Sequence, residues 1–435
     1  MAQGAVLGLD IGTRVIKLCE IGPGKQGPEL LAWGVAPTPQ NVISNGVIVD
    51  PPALAGAITQ LIASAGAKSR KVHCSVASQS SLVVRPVEVP RMSEAELVET
   101  MRWEVERYIP FAASEVIVDY KPLVAVEQLP ESQQNMDVLL AAGQEDMINA
   151  YVEALTQAKL EILSLDVEPL ASGRALIDIN ADRGAYEQVI ALVNIGAGTT
   201  DISIYKRGVL SFCRPVALAG DSLTNAISEN LGREFAEAER LKTEEGMILF
   251  DASLYRTAIE AGSEREAENE RIELAPPPEG ETSSEGPVFD LGDEENEAAA
   301  AASGEPAAFD LGGGETPAPP PVPTAQNVGD TMGRRVFESM APTLAELVTE
   351  VRRSLDFFST RGSQTRVDKV FVFGGTARLP HFERFLTNEL GTEVEIGNPL
   401  ARLDIATPDG YSEELKSFSP MLPIAVGMGI RDLME

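Results

Sequence analysis

Val189 to Tyr205, VIALVNIGAGTTDISIY, reads as a β-strand, a turn of small residues and a second β-strand. Gly196, Ala197 and Gly198 leave the turn almost bare of side chains, and Thr199, Thr200 and Asp201 place two hydroxyls and a carboxylate just beyond it. Such a turn can wrap backbone N–H groups around a phosphate, as nest-type anion sites do. A fainter copy, Ala5 to Ile21 (AVLGLDIGTRVIKLCEI), repeats the pattern near the amino terminus. There Asp10 stands before the turn at Gly12 and Thr13, and Lys17 stands beyond it. Two such hairpins predict two facing lobes that close on one polyphosphate.

A lone Asp-Ile-Gly-Thr turn would fit an ordinary glycine-containing hairpin of a sandwich. The pair, joined by a third glycine-rich turn at Gly374-Gly375-Thr376, resembles the actin-like ATPase fold, with its two phosphate hairpins and its adenosine loop. The expected fold class is therefore α/β, with two lobes of ribonuclease-H type. An inserted α+β subdomain is expected in the first lobe, and a disordered acidic insertion in the second.

At 435 residues the chain suits two lobes, each with its own core. The hydrophobic fraction of 44% is ordinary, and no run reaches the roughly 18 apolar residues of a membrane span. Met1-Ala2-Gln3-Gly4 leads directly into a patterned strand without a signal peptide, so a cytoplasmic location is expected. Cys19, Cys74 and Cys213 stand far apart and form no C-x-x-C pair, so they read as packed thiols and not as a zinc site or disulfide framework. The net charge of −31 argues against nucleic acid or anionic lipid as a charge-driven partner. About half of it is local, with 18 acids against 2 bases between Glu260 and Asp330. With His73 and His381 the only histidines, histidine-ligated metals and Ser-His-Asp triads lack material.

Outward from the first hairpin, Pro51-Pro52 opens a helix over Leu54 to Ala65, and Val72 to Val76 reads as a strand in which His73 is a packed or edge residue and not a ligand. At Leu82 the pattern changes. Val83 to Pro90 is extended, and Ser93 and Glu96 form a capping box for a helix from Glu94 to about Arg107, with Leu97, Met101, Val105 and Tyr108 on one side. Strands over Val116 to Val126 and Met136 to Ala142, and a helix over Glu145 to Ala158, complete an inserted unit. Met92-Ser93-Glu94-Ala95-Glu96-Leu97 and Arg102-Trp103-Glu104-Val105-Glu106-Arg107-Tyr108-Ile109-Pro110-Phe111 resemble the signature of the PilM type IV pilus assembly proteins. Val138 to Ala142 and Leu165 to Ala171 are similar to the same family. That resemblance implies an insertion placed as in the cell-division actin FtsA. Trp103 and Tyr108 are expected to be core residues of the subdomain.

The second lobe begins near Tyr186. A strand at Gly208 to Phe212 is followed by helices from about Ser222 and over Phe235 to Lys242. Gly220-Asp221-Ser222-Leu223-Thr224 and Ala236 to Lys242 resemble stretches that actin-like ATPases place beside the nucleotide, which implies that Glu239 and Lys242 reach the ribose and base. Read without the resemblance, the same acid and lysine are a solvated helix face with i, i+3 charge pairing. Ala261 to Asp330 is acidic, rich in Pro, Ala and Gly, and expected to be disordered. Within it Phe-Asp-Leu-Gly occurs at Phe289 to Gly292 and again at Phe309 to Gly312, either as paired docking motifs or as a plain duplication. Beyond it come a helix over Leu344 to Phe357, a buried strand at Val370 to Phe373, the turn that carries Gly374, Gly375 and Arg378, a helix from His381 to Leu390 and an apolar helix from Leu422 to Leu433.

The expected boundaries are a first-lobe core over 1–81, a partner-binding subdomain over 82–163, and a linker helix with the rest of the first lobe over 164–185. The second lobe covers 186–260 and 331–405, interrupted by 261–330, and 406–435 packs back on the first lobe. For chemistry, the resemblance implies ATP with magnesium. Gly12, Thr13, Lys17, Gly196, Gly198 and Thr199 would hold the phosphates, and Gly374, Gly375 and Arg378 the adenosine with Glu239 and Lys242. Asp10 and Asp201 would hold magnesium through its waters, and Glu168 would position the attacking water. The chain has Asn194 where many relatives open the second hairpin with an acid, so binding is expected to outrun hydrolysis. The resemblance further implies a cytoplasmic scaffold, peripheral at the inner membrane, that grips the amino-terminal tail of a PilN-like membrane protein and contacts other pilus platform or motor proteins. An FtsA-like division actin and a small-molecule kinase are the competing readings.

Overall fold

The computed structural model describes residues 4–25, 27–44, 46–77, 81–130, 132–178, 187–249, 331–361 and 365–434. The acidic tract over 261–330 and its two Phe-Asp-Leu-Gly copies lie outside the described residues.

The chain opens with strands β1 (Val6–Ile11), β2 (Val15–Pro23) and β3 (Pro28–Pro37), a small ribbon of β4 (Ile43–Ser44) and β5 (Val47–Ile48), helix α1 (Pro51–Ser64) and β6 (Lys71–Val76). Every residue of β1 is buried, the carboxylate of Asp10 included, as befits a central strand. The Asp50 carboxylate accepts from the Ala53 N–H at 3.0 Å, and the two prolines at the start of α1 have no N–H to leave unpaired. Leu54, Ile58, Leu61 and Ile62 then bury one face of α1. The inserted part comprises β7 (Leu82–Pro90), α2 (Glu94–Glu104), β8 (Val116–Pro122) and β9 (Asn135–Gln144), followed by α3 (Glu145–Gln157), β10 (Glu161–Val167) and α4 (Glu168–Gly173). The second lobe holds β11 (Val189–Ile195), β12 (Thr200–Lys206), β13 (Val209–Val216), α5 (Gly220–Leu231), α6 (Phe235–Glu244), α7 (Met332–Arg361), β14 (Lys369–Phe373), α8 (Phe382–Leu390) and β15 (Glu393–Ile396). Strand β16 (Asp404–Ile405), α9 (Glu413–Phe418), α10 (Pro423–Gly429) and α11 (Arg431–Met434) return to the first lobe.

The two main sheets share one topology apart from the short edge strand β16, which only the first has. The first runs β10-β6-β1-β2-β3-β16 and the second β13-β12-β11-β14-β15, each with an antiparallel meander of three strands beside two parallel ones. A third sheet, β7-β9-β8, is antiparallel throughout. Each lobe has its own core, around Leu7, Ile16, Leu54 and Val72 in the first and around Val193, Phe337, Leu344 and Phe382 in the second. A further core joins the lobes. Here α4 and the wholly buried α10 lie between Ile21 and Leu30 of one sheet and Ile190, Leu192 and Phe373 of the other.

Several expectations need correction. Helix α3 does not close the inserted unit: Met147, Tyr151, Ala154 and Leu155 pack into the first-lobe core beside α1, and β10 pairs with β6 in the first-lobe sheet. The separate subdomain core ends at Ala142, so the insertion stops near Gln144 and not at residue 163. Trp103 is 80% exposed, whereas Leu97, Met101 and Val105 on the other side of the helix are buried. Strand β8 ends at Pro122 and not at Val126. Helix α7 starts well before Leu344 and contains Pro342. The single carboxyl-terminal helix expected from Leu422 to Leu433 is two helices, α10 and α11.

Candidate functional site

Both hairpins close their turns by the same hydrogen bond. Gly12 N–H donates to the Val15 carbonyl at 3.1 Å, and Gly196 N–H donates to the Thr199 carbonyl at 2.9 Å. The turns meet in the lining of a cleft of about 980 Å³ between the lobes. A Cβ added at Gly198 would lie 3.7 Å from Thr13 Oγ1. All the residues expected at the site line this one cleft: Asp10, Gly12, Thr13, Lys17, Glu168, Gly196, Gly198, Thr199, Asp201, Glu239, Lys242, Gly374, Gly375 and Arg378. Asn194 lines it as well.

The acids are unevenly matched. Asp10, buried, forms an ion pair with Lys17 at 3.0 Å, its partner across the strand pair. Asp201 accepts from the Thr199 hydroxyl at 3.0 Å, yet burial pushes its carboxyl up to about 6. Glu168, at the first position of α4, is held well above the usual carboxylate range by burial, then by Asp201 and Asp10, and Asn194 donates to it at 3.4 Å. Two under-compensated carboxylates facing one cleft favour a cation between them. Among the described residues no group of three His, Cys, Asp or Glu side chains could hold a metal ion alone. A magnesium ion here would keep waters and share its shell with phosphate oxygens, the habit of that ion.

On the adenosine side, two of the expected contacts are internal. The Lys242 ammonium donates to the Gly220 carbonyl at 2.9 Å and the Thr224 hydroxyl at 2.7 Å, and it pairs with Glu239 at 2.7 Å. Those partners use all three of its protons. Lys242 therefore holds Gly220 and Glu239 in place, and Glu239 is left facing the cleft. Arg378 donates to the Ser417 hydroxyl at 3.1 Å and lies over the Phe418 ring at 4.5 Å, so its head group is engaged by α9. Gly374 has φ +95°, a conformation that glycine adopts without strain, and an added Cβ would meet the Ile195 carbonyl at 2.5 Å. A Cβ at Gly375 would meet nothing within 4 Å. These bare turns and the charge imbalance fit a magnesium-bound nucleotide.

The sequence reading missed Arg14. It sits in the first turn, and its guanidinium crosses the cleft to Asp221 at the start of α5. The one available signal was its place in the turn, where the second hairpin has Gly198.

The family profile described as type IV pilus assembly protein PilM matches residues 8–248, and that of cell division protein FtsA matches residues 191–417. FtsA of Bacillus subtilis (strain 168) is 30% identical over 112 residues, covering 26% of this chain and 24% of that protein. FtsA of Neisseria meningitidis serogroup B is 23% identical over 262 residues, covering 56% and 62% respectively. The chain thus spans less than two thirds of the length of these curated relatives. A solved structure, the PilM-PilN type IV pilus biogenesis complex, matches with a TM-score of 0.71 and 25% identity over 98% of both chains. Among the described residues no helix is long and apolar enough to cross a membrane. With the paired hairpins on a two-lobed actin-like frame and a profile match over residues 8–248 of 435, the chain belongs to the PilM family of type IV pilus assembly proteins.

Proposed function

We propose that this chain is a nucleotide-binding scaffold of the pilus platform at the inner membrane, which binds ATP with magnesium in the cleft and grips the amino-terminal tail of a PilN-like membrane protein. The observation that carries the nucleotide half is the meeting of two glycine-containing hairpin turns in one cleft, with Thr13 Oγ1 beside Gly198. Bound ATP would supply the phosphoryl group, and its magnesium the charge that balances the phosphate oxygens. The turns at Gly12–Thr13 and Gly196–Thr199 supply backbone donors, and Lys17 adds a cation already neutralised in part by Asp10. Glu168 is the residue placed to orient a water. Burial, Asp201 and Asp10 favour the protonated form of its carboxyl, so the ionised form that orients a water is scarce until a cation settles beside it. Slow turnover, with the nucleotide acting as a structural switch, follows from that environment.

The partner half rests on the likeness to the PilM-PilN complex. The cleft continues past the hairpins to an apolar wall formed by Val76, Leu82, Val83 and Val84, where the inserted subdomain leaves the first lobe. An extended tail with one or two apolar anchors suits such a groove.

Isothermal titration of the full chain with ATP and magnesium tests the first half. Thr13→Ala and Gly198→Asp are each expected to abolish the heat of binding, and unchanged affinity in both would refute the site. Fluorescence anisotropy with a labelled synthetic tail of the co-encoded PilN-like protein tests the second, and no saturable binding would remove the scaffold role.

A further inference from the structure

We infer that Arg14 is a latch across the mouth of the cleft, holding the two lobes closed and setting how long a nucleotide stays; its second clause rests on the nucleotide reading above. The side chain leaves the first lobe and finds its partners in the second. Its Nε lies 3.1 and 3.2 Å from the two Asp221 oxygens and its Nη2 3.0 Å from one of them, a two-pronged grip that a lysine cannot make. The guanidinium carbon also lies 4.3 Å from the centre of the Phe235 ring, at the start of α6.

What makes this contact a latch is what Asp221 is attached to. Its N–H donates to the Ala197 carbonyl at 2.8 Å, and the neighbouring Gly220 N–H donates to the Gly196 carbonyl at 3.0 Å. Lys242 holds the Gly220 carbonyl at 2.9 Å. Arg14 in the first phosphate turn is thus tied, through one carboxylate, to the second phosphate turn and to the helix that presents Glu239. Movement of the lobes apart has to break this contact, and a nucleotide spanning both turns leaves only when they part. The Arg14 side chain is 47% exposed and that of Asp221 26%, so water competes and the contact opens readily. That suits a gate better than a permanent brace.

The test has two arms, both on the full chain. In the first, release of a fluorescent ATP analogue is followed by stopped flow. Arg14→Gln is expected to release it about tenfold faster, the combined worth of an ion pair and a cation–π contact, and Asp221→Asn about threefold faster, since it leaves the Phe235 contact in place. The double variant is expected to be no faster than Arg14→Gln alone. Wild-type release should also quicken with added salt more steeply than that of Arg14→Gln.

In the second arm, the nucleotide-free protein carries Thr13→Cys with Gly198→Cys, a pair close enough to form a disulfide when the lobes are closed. Cys19 and Cys74 are buried, and burial pushes the Cys213 thiol up to about 12, so the native thiols compete little. Adding Arg14→Gln is expected to slow oxidative cross-linking several-fold. Cross-linking at the parent rate, or single-variant effects on release that simply add, would overturn the latch. If the wild type binds no nucleotide, the nucleotide reading fails while the cross-linking arm still decides the latch.

Discussion

In the first hairpin Asp10 faces Lys17 across the strand pair, whereas at the same register of the second hairpin Asn194 faces Asp201. The backbones match down to the hydrogen bond that closes each turn. The charges do not. One hairpin carries an acid balanced by its own base, and the other carries an acid with only an amide opposite it and Glu168 nearby. A duplicated scaffold has therefore become a polarised site, self-sufficient on one side and short of positive charge on the other. The cation that would complete it has to arrive with the ligand.

That contrast is open to direct attack. The largest effect is expected from Lys17→Met, which strands the buried Asp10 carboxylate and should cost about 3 kcal/mol in denaturant unfolding of the nucleotide-free protein. A loss of no more than about 0.5 kcal/mol, the scale of a surface pair, would show that the first hairpin is not balanced as described.

The equivalent change in the second hairpin, Asp201→Asn, should act in the opposite direction. Burial raises this carboxyl from 3.8 to about 6, so its ionised form opposes folding. That penalty is full above about pH 6 and vanishes as pH falls through 3.8. The variant should be about 1–2 kcal/mol more stable than the parent at pH 7 and indistinguishable from it near pH 4. Thermal melts at the two pH values decide this, and a variant less stable at pH 7 would place the carboxylate in the service of the fold. The smallest effect is expected from Asn194→Asp, which crowds another acid against Glu168 and should lower stability by about 1 kcal/mol without magnesium. Magnesium with ATP should restore it, and equal stability with and without them would mean that the cleft does not gather a cation.

The hairpins were legible because a turn that must expose its backbone admits few residue types, and Gly196-Ala197-Gly198 announces itself. The repeated topology was legible for the same reason, since each hairpin opens a sheet of the same order. Placement was harder. The apolar stripe of α3 says that one face is covered but not by what, and it is the first lobe that covers it. Trp103 illustrates a related limit: it follows Met101 in a helix with a clear apolar face, yet two residues of helical rotation take it round to solvent. Lys242 and Arg378 line the cleft, but their head groups are spent on Gly220, Thr224, Ser417 and Phe418, contacts between separate elements that no local pattern announces. The Arg14–Asp221 contact spans 207 residues and has no local signature at all.

The docking of α10 on the first lobe bears on how the molecule is made. A Cβ at Gly8 in β1 would lie 1.9 Å from the Ala425 carbonyl, and one at Gly427 would lie 1.8 Å from the Ala171 carbonyl, so backbone rests on backbone at both crossings. No flexible side chain can stand in for a helix that fits so closely. Gly8 and Ala425 are separated by nearly the whole chain, and at about 5–20 residues per second the strand waits tens of seconds for the helix that covers it. Throughout translation, the apolar strand at the heart of the first lobe is therefore without its cover and within reach of chaperones. The lobe that leaves the ribosome first is the last to be finished.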